Sequence, residues 1–195
     1  MCQTTLRLAL SYQKTAGKKR VIDGSPFRSM TSMICIWSSI KGVINIRKHR
    51  TIVTMIKIKR SDLENILSHC SDENPIEACG ILAGTIKTSS GDRIKEVLKV
   101  YHCKNVLNSP TEYRIGAEEQ FKIFSEIDAV ELDLLGFYHS HVSNQHISSK
   151  PSSIDRDRAN YVGYSYMIVT LHPTKVSSWI LEKKGVFKKE EICIL

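Results

Sequence analysis

Two histidines one residue apart, His139 and His141, stand in the chemically densest stretch of the chain, GFYHSHVSNQHISSKPSSIDRDRA (136–159). At the end of a strand, residues two apart leave the same face, so both imidazoles can serve one ion. Imidazole suits zinc, and a carboxylate can supply the third ligand while the fourth tetrahedral position stays open to water. Asp155, early in the short helix expected after the loop, is the natural third donor. Taken alone, an HxH pair reads more readily as two structural histidines. His146 lies in the same loop, where it either approaches the ion or faces solvent or substrate. Ser152 and Ser153 precede Asp155 and could cap its helix.

The elements that must hold these residues are legible from Met55 onward. MIKIK (55–59) alternates like a half-buried strand, and Ser61-Asp-Leu-Glu64 has the form of a capping box opening a helix to about Cys70. After the polar turn SDENP, the apolar run Ala78 to Ala83 reads as a buried strand that Gly84 ends, which puts Glu77 at its entrance. SSGD (89–92) is a turn, and the strand after it runs to Cys103. From Ala117 to about Glu131, Phe121, Phe124, Ile127 and Val130 fall near helical spacing, with acids in the first turn. Leu134 to His139 is a buried strand, and a short helix is expected near Ile154 to Asn160. Three strands, Tyr166 to Leu171, Val176 to Glu182 and Val186 to Leu195, complete an α/β or α+β domain. Lys183, Lys184, Lys188 and Lys189 alternate with Glu182, Glu190 and Glu191, the pattern of a solvated mixed-charge hairpin.

Glu77 in PIEACGILAG, then His139-Ser140-His141, then Ser152-Ser153-Ile154-Asp155 resembles the JAMM (MPN-plus) zinc metallopeptidases, which order a Glu, an HxH and a Ser-x-x-Asp in this way. NVLNSPTEYRIGAEEQ (105–120) and YSYMIVTLHP (164–173) are similar to the matching segments of the small prokaryotic single-domain members. The resemblance covers residues 55–195. It implies an α/β JAB/MPN domain with a curved mixed central sheet flanked by helices, akin to the cytidine-deaminase fold. It further implies one zinc ion on His139, His141 and Asp155, with Glu77 as general base and Ser152 stabilising an oxyanion. Ser140 should point to the opposite face, as a packing or supporting residue. The substrate it implies is an amide or isopeptide bond at the C-terminus of a ubiquitin-like or sulfur-carrier protein. Two features depart from the family pattern: Val142 stands where Pro is usual, and ten residues, Val142 to Pro151, separate His141 from Ser152 where seven are usual. Lengthening a loop costs little closure entropy.

Composition bounds the alternatives. The 195 residues carry a net charge of +8, but residues 1–54 hold ten Lys or Arg against Asp23 alone, leaving 18 bases and 19 acids in the rest. The basic character is that of the extension, expected to be a flexible tail or a mis-assigned start upstream of Met55. A nucleic-acid arm is the competing reading, yet the aromatic interleaving of a stacking platform is missing. Six cysteines without CxxC spacing argue for free thiols in a reducing, cytoplasmic setting. No apolar run reaches the roughly 20 residues of a membrane span. His69, His102 and His172 have no motif partner and read as structural or surface residues. A non-catalytic MPN scaffold is the alternative function, although such members usually lack the ligands.

Overall fold

In this computed structural model, residues 54–142 and 148–195 are described. Residues 1–53, hence nearly all of the basic extension, and His146 lie outside the described residues. Seven strands and three helices follow in the order β1 (Thr54–Ile58), α1 (Arg60–Glu73), β2 (Cys79–Ser89), β3 (Asp92–Cys103), α2 (Ala117–Ala129), β4 (Asp133–His141), α3 (Ser153–Arg158), β5 (Ser165–Leu171), β6 (Thr174–Lys183) and β7 (Val186–Ile194).

The alternation in β1 buries Ile56 and Ile58 completely and leaves Lys57 and Lys59 outward. β1 pairs in parallel with β3 on one side and with β7 on the other. That double pairing closes the sheet, in the order β1-β3-β2-β4-β5-β6-β7. The mixed sheet flanked by helices is as expected, but it forms a closed ring of strands where the resemblance implied a curved sheet.

Each face of the sheet carries its own apolar cluster. Leu63, Ile66 and Cys70 of α1 pack with Ile56, Leu82, Val97, Tyr138 and Met167. Ile123 and Ile127 of α2 pack with Ile81, Tyr101, Phe137 and Tyr166. Each fully buried Ile or Leu contributes roughly 1.5–3 kcal/mol relative to exposure. Of the four residues expected on one face of α2, Ile127 is buried and Phe124 packs against the same cluster, whereas Phe121 is 75% and Val130 49% exposed and Ile123 takes the inner place beside Ile127.

Two local expectations are corrected. α1 begins at Arg60 with Lys59 as its N-cap and no side-chain cap, so Ser61 lies inside the helix and the capping box with Glu64 does not form. The free Arg60 amide is instead satisfied by the carbonyl of Leu195, 3.1 Å away. Gly84 does not end β2; it marks a register shift against β3 between Ala83 and Gly84. A side chain there would stand 1.9 Å from the Glu96 carbonyl oxygen, so glycine allows the bulged strand to continue to Ser89.

The C-terminal hairpin is also not wholly solvated. Glu190 is 1% exposed, and its carboxylate lies 3.2 Å from the ammonium of Lys95, itself 0% exposed. Ser165 and Ser178 donate to the same carboxylate at 2.7 and 2.6 Å, and the Lys95 ammonium donates to Ser165 Oγ at 2.6 Å. Burial lowers the Lys95 pKa, against the opposing pull of Glu190.

Candidate metal centre

β4 carries both histidines because its apolar run, buried from Leu135 onward, ends in them at the rim of the sheet. Alternation sends Phe137 and His139 to the α2 face and Tyr138 and Ser140 to the α1 face. Ser140 does point away from the two imidazoles, as expected, and its hydroxyl accepts from the Ala78 amide at 2.9 Å. Cys79 pairs with His139 across β2 and β4, and Ser140 N donates to Ala78 O at 3.0 Å. Continuing this register one pair outward sets Glu77 opposite His141, on the same face as both imidazoles.

Asp155 arrives from α3. Ser152 caps that helix: its hydroxyl accepts from Asp155 N at 3.1 Å, and Ser152 N donates to Asp155 Oδ2 at 2.7 Å. This reciprocal capping box orients the carboxylate toward the histidines. His139 Nε2 lies 3.2 Å from Asp155 Oδ1, His141 Nε2 3.3 Å from Oδ2, and the two Nε2 atoms 3.0 Å apart. Ligands about 2.0–2.1 Å from a tetrahedral zinc stand roughly 3.3 Å from one another, so the donor set fits that ion. Among the described residues, these three form the one such group of metal donors.

The surroundings tune each donor. His141 Nδ1 lies 2.7 Å from the Ser148 carbonyl, which favours a proton on Nδ1 and a free lone pair on Nε2. Burial works against protonated His141, but Asp155 and that carbonyl prevail and raise its pKa. Burial lowers the pKa of His139. For Asp155, burial alone would raise the pKa, but His139, His141 and Ser152 hold the carboxyl well below the usual range. Glu77 is 5% exposed, and burial pushes its carboxyl up to about 8, with His141 opposing and Asp155 and Glu112 adding to the rise.

The end of the lengthened loop is anchored. Ser149 Oγ bonds Ser177 Oγ at 2.9 Å, and Trp179 Nε1 donates to Ser149 O at 2.8 Å, tying the loop to β6. A cavity of about 520 Å³ opens beside Asp155, walled by Tyr113, Phe137, Tyr161 and Tyr166 and bordered by Arg158.

The sequence pattern did not single out Tyr113, whose ring stacks on His139 with centroids 4.6 Å apart and planes at 23°. Its place in TEYRI, an extended segment ahead of a helix, was the available signal. His69 and His102 also meet, with rings stacked 4.2 Å apart, and His69 Nδ1 lies 2.8 Å from the Tyr138 hydroxyl. They occupy the α1 face, behind the ligand strand, while His172 is exposed.

A family model described as prokaryotic homologs of the JAB domain matches residues 59–182. A desampylase from Haloferax volcanii is 34% identical over 110 residues, 54% of this chain and 73% of that one. A CysO-cysteine peptidase from Mycobacterium tuberculosis is 30% identical over 126 residues, 64% of this chain and 78% of that one. A solution structure of a Desulfitobacterium hafniense protein, 27% identical, aligns with a TM-score of 0.62 over 72% of this chain and 93% of that one. With the match spanning both histidines, Asp155 and Glu77, the chain belongs to the family of prokaryotic homologs of the JAB domain.

Proposed function

We propose that the protein is a zinc-dependent JAMM-type peptidase that hydrolyses an amide or isopeptide bond at the C-terminus of a ubiquitin-like or sulfur-carrier protein. The observation that carries this reading is the convergence of His139, His141 and Asp155, with buried Glu77, just ahead of β2, electrostatically coupled to His141 and Asp155. The names of the relatives, desampylase and CysO-cysteine peptidase, support the peptidase chemistry. The four cysteines of the described residues are free thiols, which supports a reducing, cytoplasmic setting.

Zinc on the three donors would supply Lewis acidity and a bound water whose pKa falls from about 15.7 to about 7. Glu77 takes the proton from the attacking water and gives it to the leaving amine. Burial raises the proton affinity of this carboxyl, which suits a base that must take up a proton and pass it on. Ser152 Oγ accepts from Asp155 N, which leaves its own O–H proton free to donate to the developing oxyanion. Capping and oxyanion stabilisation are therefore compatible in one serine.

The substrate tail lies along Glu112–Ile115. Glu112 O, Arg114 N and Arg114 O are all taken on one side, by the Asn105 side chain and Val106 N. In an extended segment, the intervening N–H and C=O of Tyr113 point the other way and can pair with an added strand.

The test incubates zinc-loaded protein and its Glu77→Gln variant with ubiquitin-like and sulfur-carrier fusions bearing a short C-terminal extension, and locates any cut by mass spectrometry. We expect cleavage at the carrier's C-terminus, and an activity about 100 to 10,000-fold lower in the variant at unchanged zinc content. No cleavage of any fusion by the zinc-loaded protein, or equal rates for both proteins, would refute the reading.

A further inference from the structure

Asn105 stands just past the end of β3, 5% exposed, with more polar contacts than its position alone requires. Its Nδ2 donates to Glu77 O and Glu112 O, each at 3.0 Å, with a longer contact of 3.4 Å to Ser109 O. Its Oδ1 accepts from Leu107 N and Arg114 N, each at 3.1 Å. Glu77 N in turn donates to Ser109 O at 3.0 Å. Both backbone groups of Glu77 are thus fastened to the segment that Asn105 organises. That segment carries Tyr113, stacked on His139, and walls the cavity beside Asp155.

We propose that Asn105 is a positioning residue that holds Glu77 and the substrate-facing segment Glu112–Ile115 in one frame. It touches neither metal donors nor substrate and acts through two stretches of backbone. Glu77 lies two residues ahead of β2; the strand register carries it to the His141 side, and the bonds of its own amide and carbonyl to Ser109 and Asn105 hold it there. Asn is suited to the task because one planar amide offers two donor hydrogens and an acceptor with two lone pairs. Those groups answer carbonyls and amides on both sides, and aspartate would satisfy only the acceptor half. The inference rests on the reading of Glu77 as general base.

The experiment uses the full chain with Asn105→Ala and Asn105→Asp, well below the unfolding temperature. It reads zinc per chain, kcat and KM on a cleavable carrier fusion, and amide hydrogen exchange of peptides covering 76–79 and 105–115. We expect one zinc per chain in both variants and a kcat about 100-fold lower, the scale of a roughly 1 Å misplacement. Exchange should rise in both peptides together, with β4 and β5 unchanged. Because Asn105→Asp keeps the acceptor bonds, equal loss in the two variants would assign the effect to the donors on Glu77 O and Glu112 O. A kcat within about threefold of the parent would overturn the proposal. So would exchange that rises in 105–115 but not in 76–79, or a fold lost in both variants. If the parent cleaves no fusion, the catalytic reading falls, and the paired exchange response alone then decides whether Asn105 joins the two segments.

Discussion

Among the described residues, ionisable side chains gather below the surface in a cluster on each face of the sheet. On the α1 face, Lys95 meets Glu190 within a ring of serine hydroxyls, each of them bonded inside the cluster. On the α2 face, His139, His141 and Asp155 aim their lone pairs at one point beside a cavity. Burial alone therefore does not distinguish structure from function. In the first cluster the charges are turned on each other, Lys95 against Glu190 Oε1 and both serine hydroxyls on Glu190 Oε2. The second gathers three donor atoms at one place, and its supporting bonds, from Ser152 and Ser148, orient those donors.

Four changes would break or sharpen this contrast. The largest effect is expected from His139→Ala or Asp155→Ala, which should each cost more zinc affinity than the 10 to 100-fold typical of losing a supporting partner. Metal analysis after dialysis would find most of the zinc gone; full retention in both variants would erase the distinction. Next is Glu190→Gln, which leaves Lys95 buried without its counter-charge and should destabilise the fold by about 3–5 kcal/mol in chemical denaturation. The Lys95→Met/Glu190→Leu double variant should recover that loss, with zinc content unaltered in both. A single variant costing under about 1 kcal/mol would mean that the cluster is not structural.

Ser152→Ala should lower kcat by about 100 to 1,000-fold and stability by about 1 kcal/mol. A loss of stability without a loss of kcat would leave Ser152 as a cap alone. The smallest effect is on pH. Ligation needs neutral imidazoles, and Asp155 raises the pKa of His141, so protons compete with the metal first at that residue. Zinc affinity should be full above the His141 pKa and decline as pH falls through it, with His139, held low by burial, following only at more acid pH. Competition titrations across pH 5 to 8 would read this, and a flat profile would contradict it.

The meeting of His139, His141 and Asp155 was legible because each of its signals is local: two residues on one strand, a serine and an aspartate three apart. Most strands and helices followed from short-range period for the same reason. Glu190 was not legible, since its neighbours Lys188, Lys189 and Glu191 give the pattern of a wet hairpin. Only the arrival of Lys95 from β3, far away in sequence, makes its inward turn favourable. Asn105 was equally silent, because a buried amide has meaning only through the backbone it bonds. The closure of the sheet depends on β1 meeting β7, which no periodicity records. The Ser61 box failed for a reverse reason: its local pattern was sound, but the Leu195 carbonyl answers the helix start one residue earlier.

That closure also bears on how the chain reaches its fold. The seam joins the first described strand to the last, while β4, bearing both histidines, stands midway round the ring with three strands on either side. Pairings between strands so distant in sequence form slowly. Until they form, β1 and β7 each present an open edge that a second copy could occupy. Folding should accordingly be most prone to aggregation at the seam, at a stage when β4, which holds both histidines, already has both its neighbours.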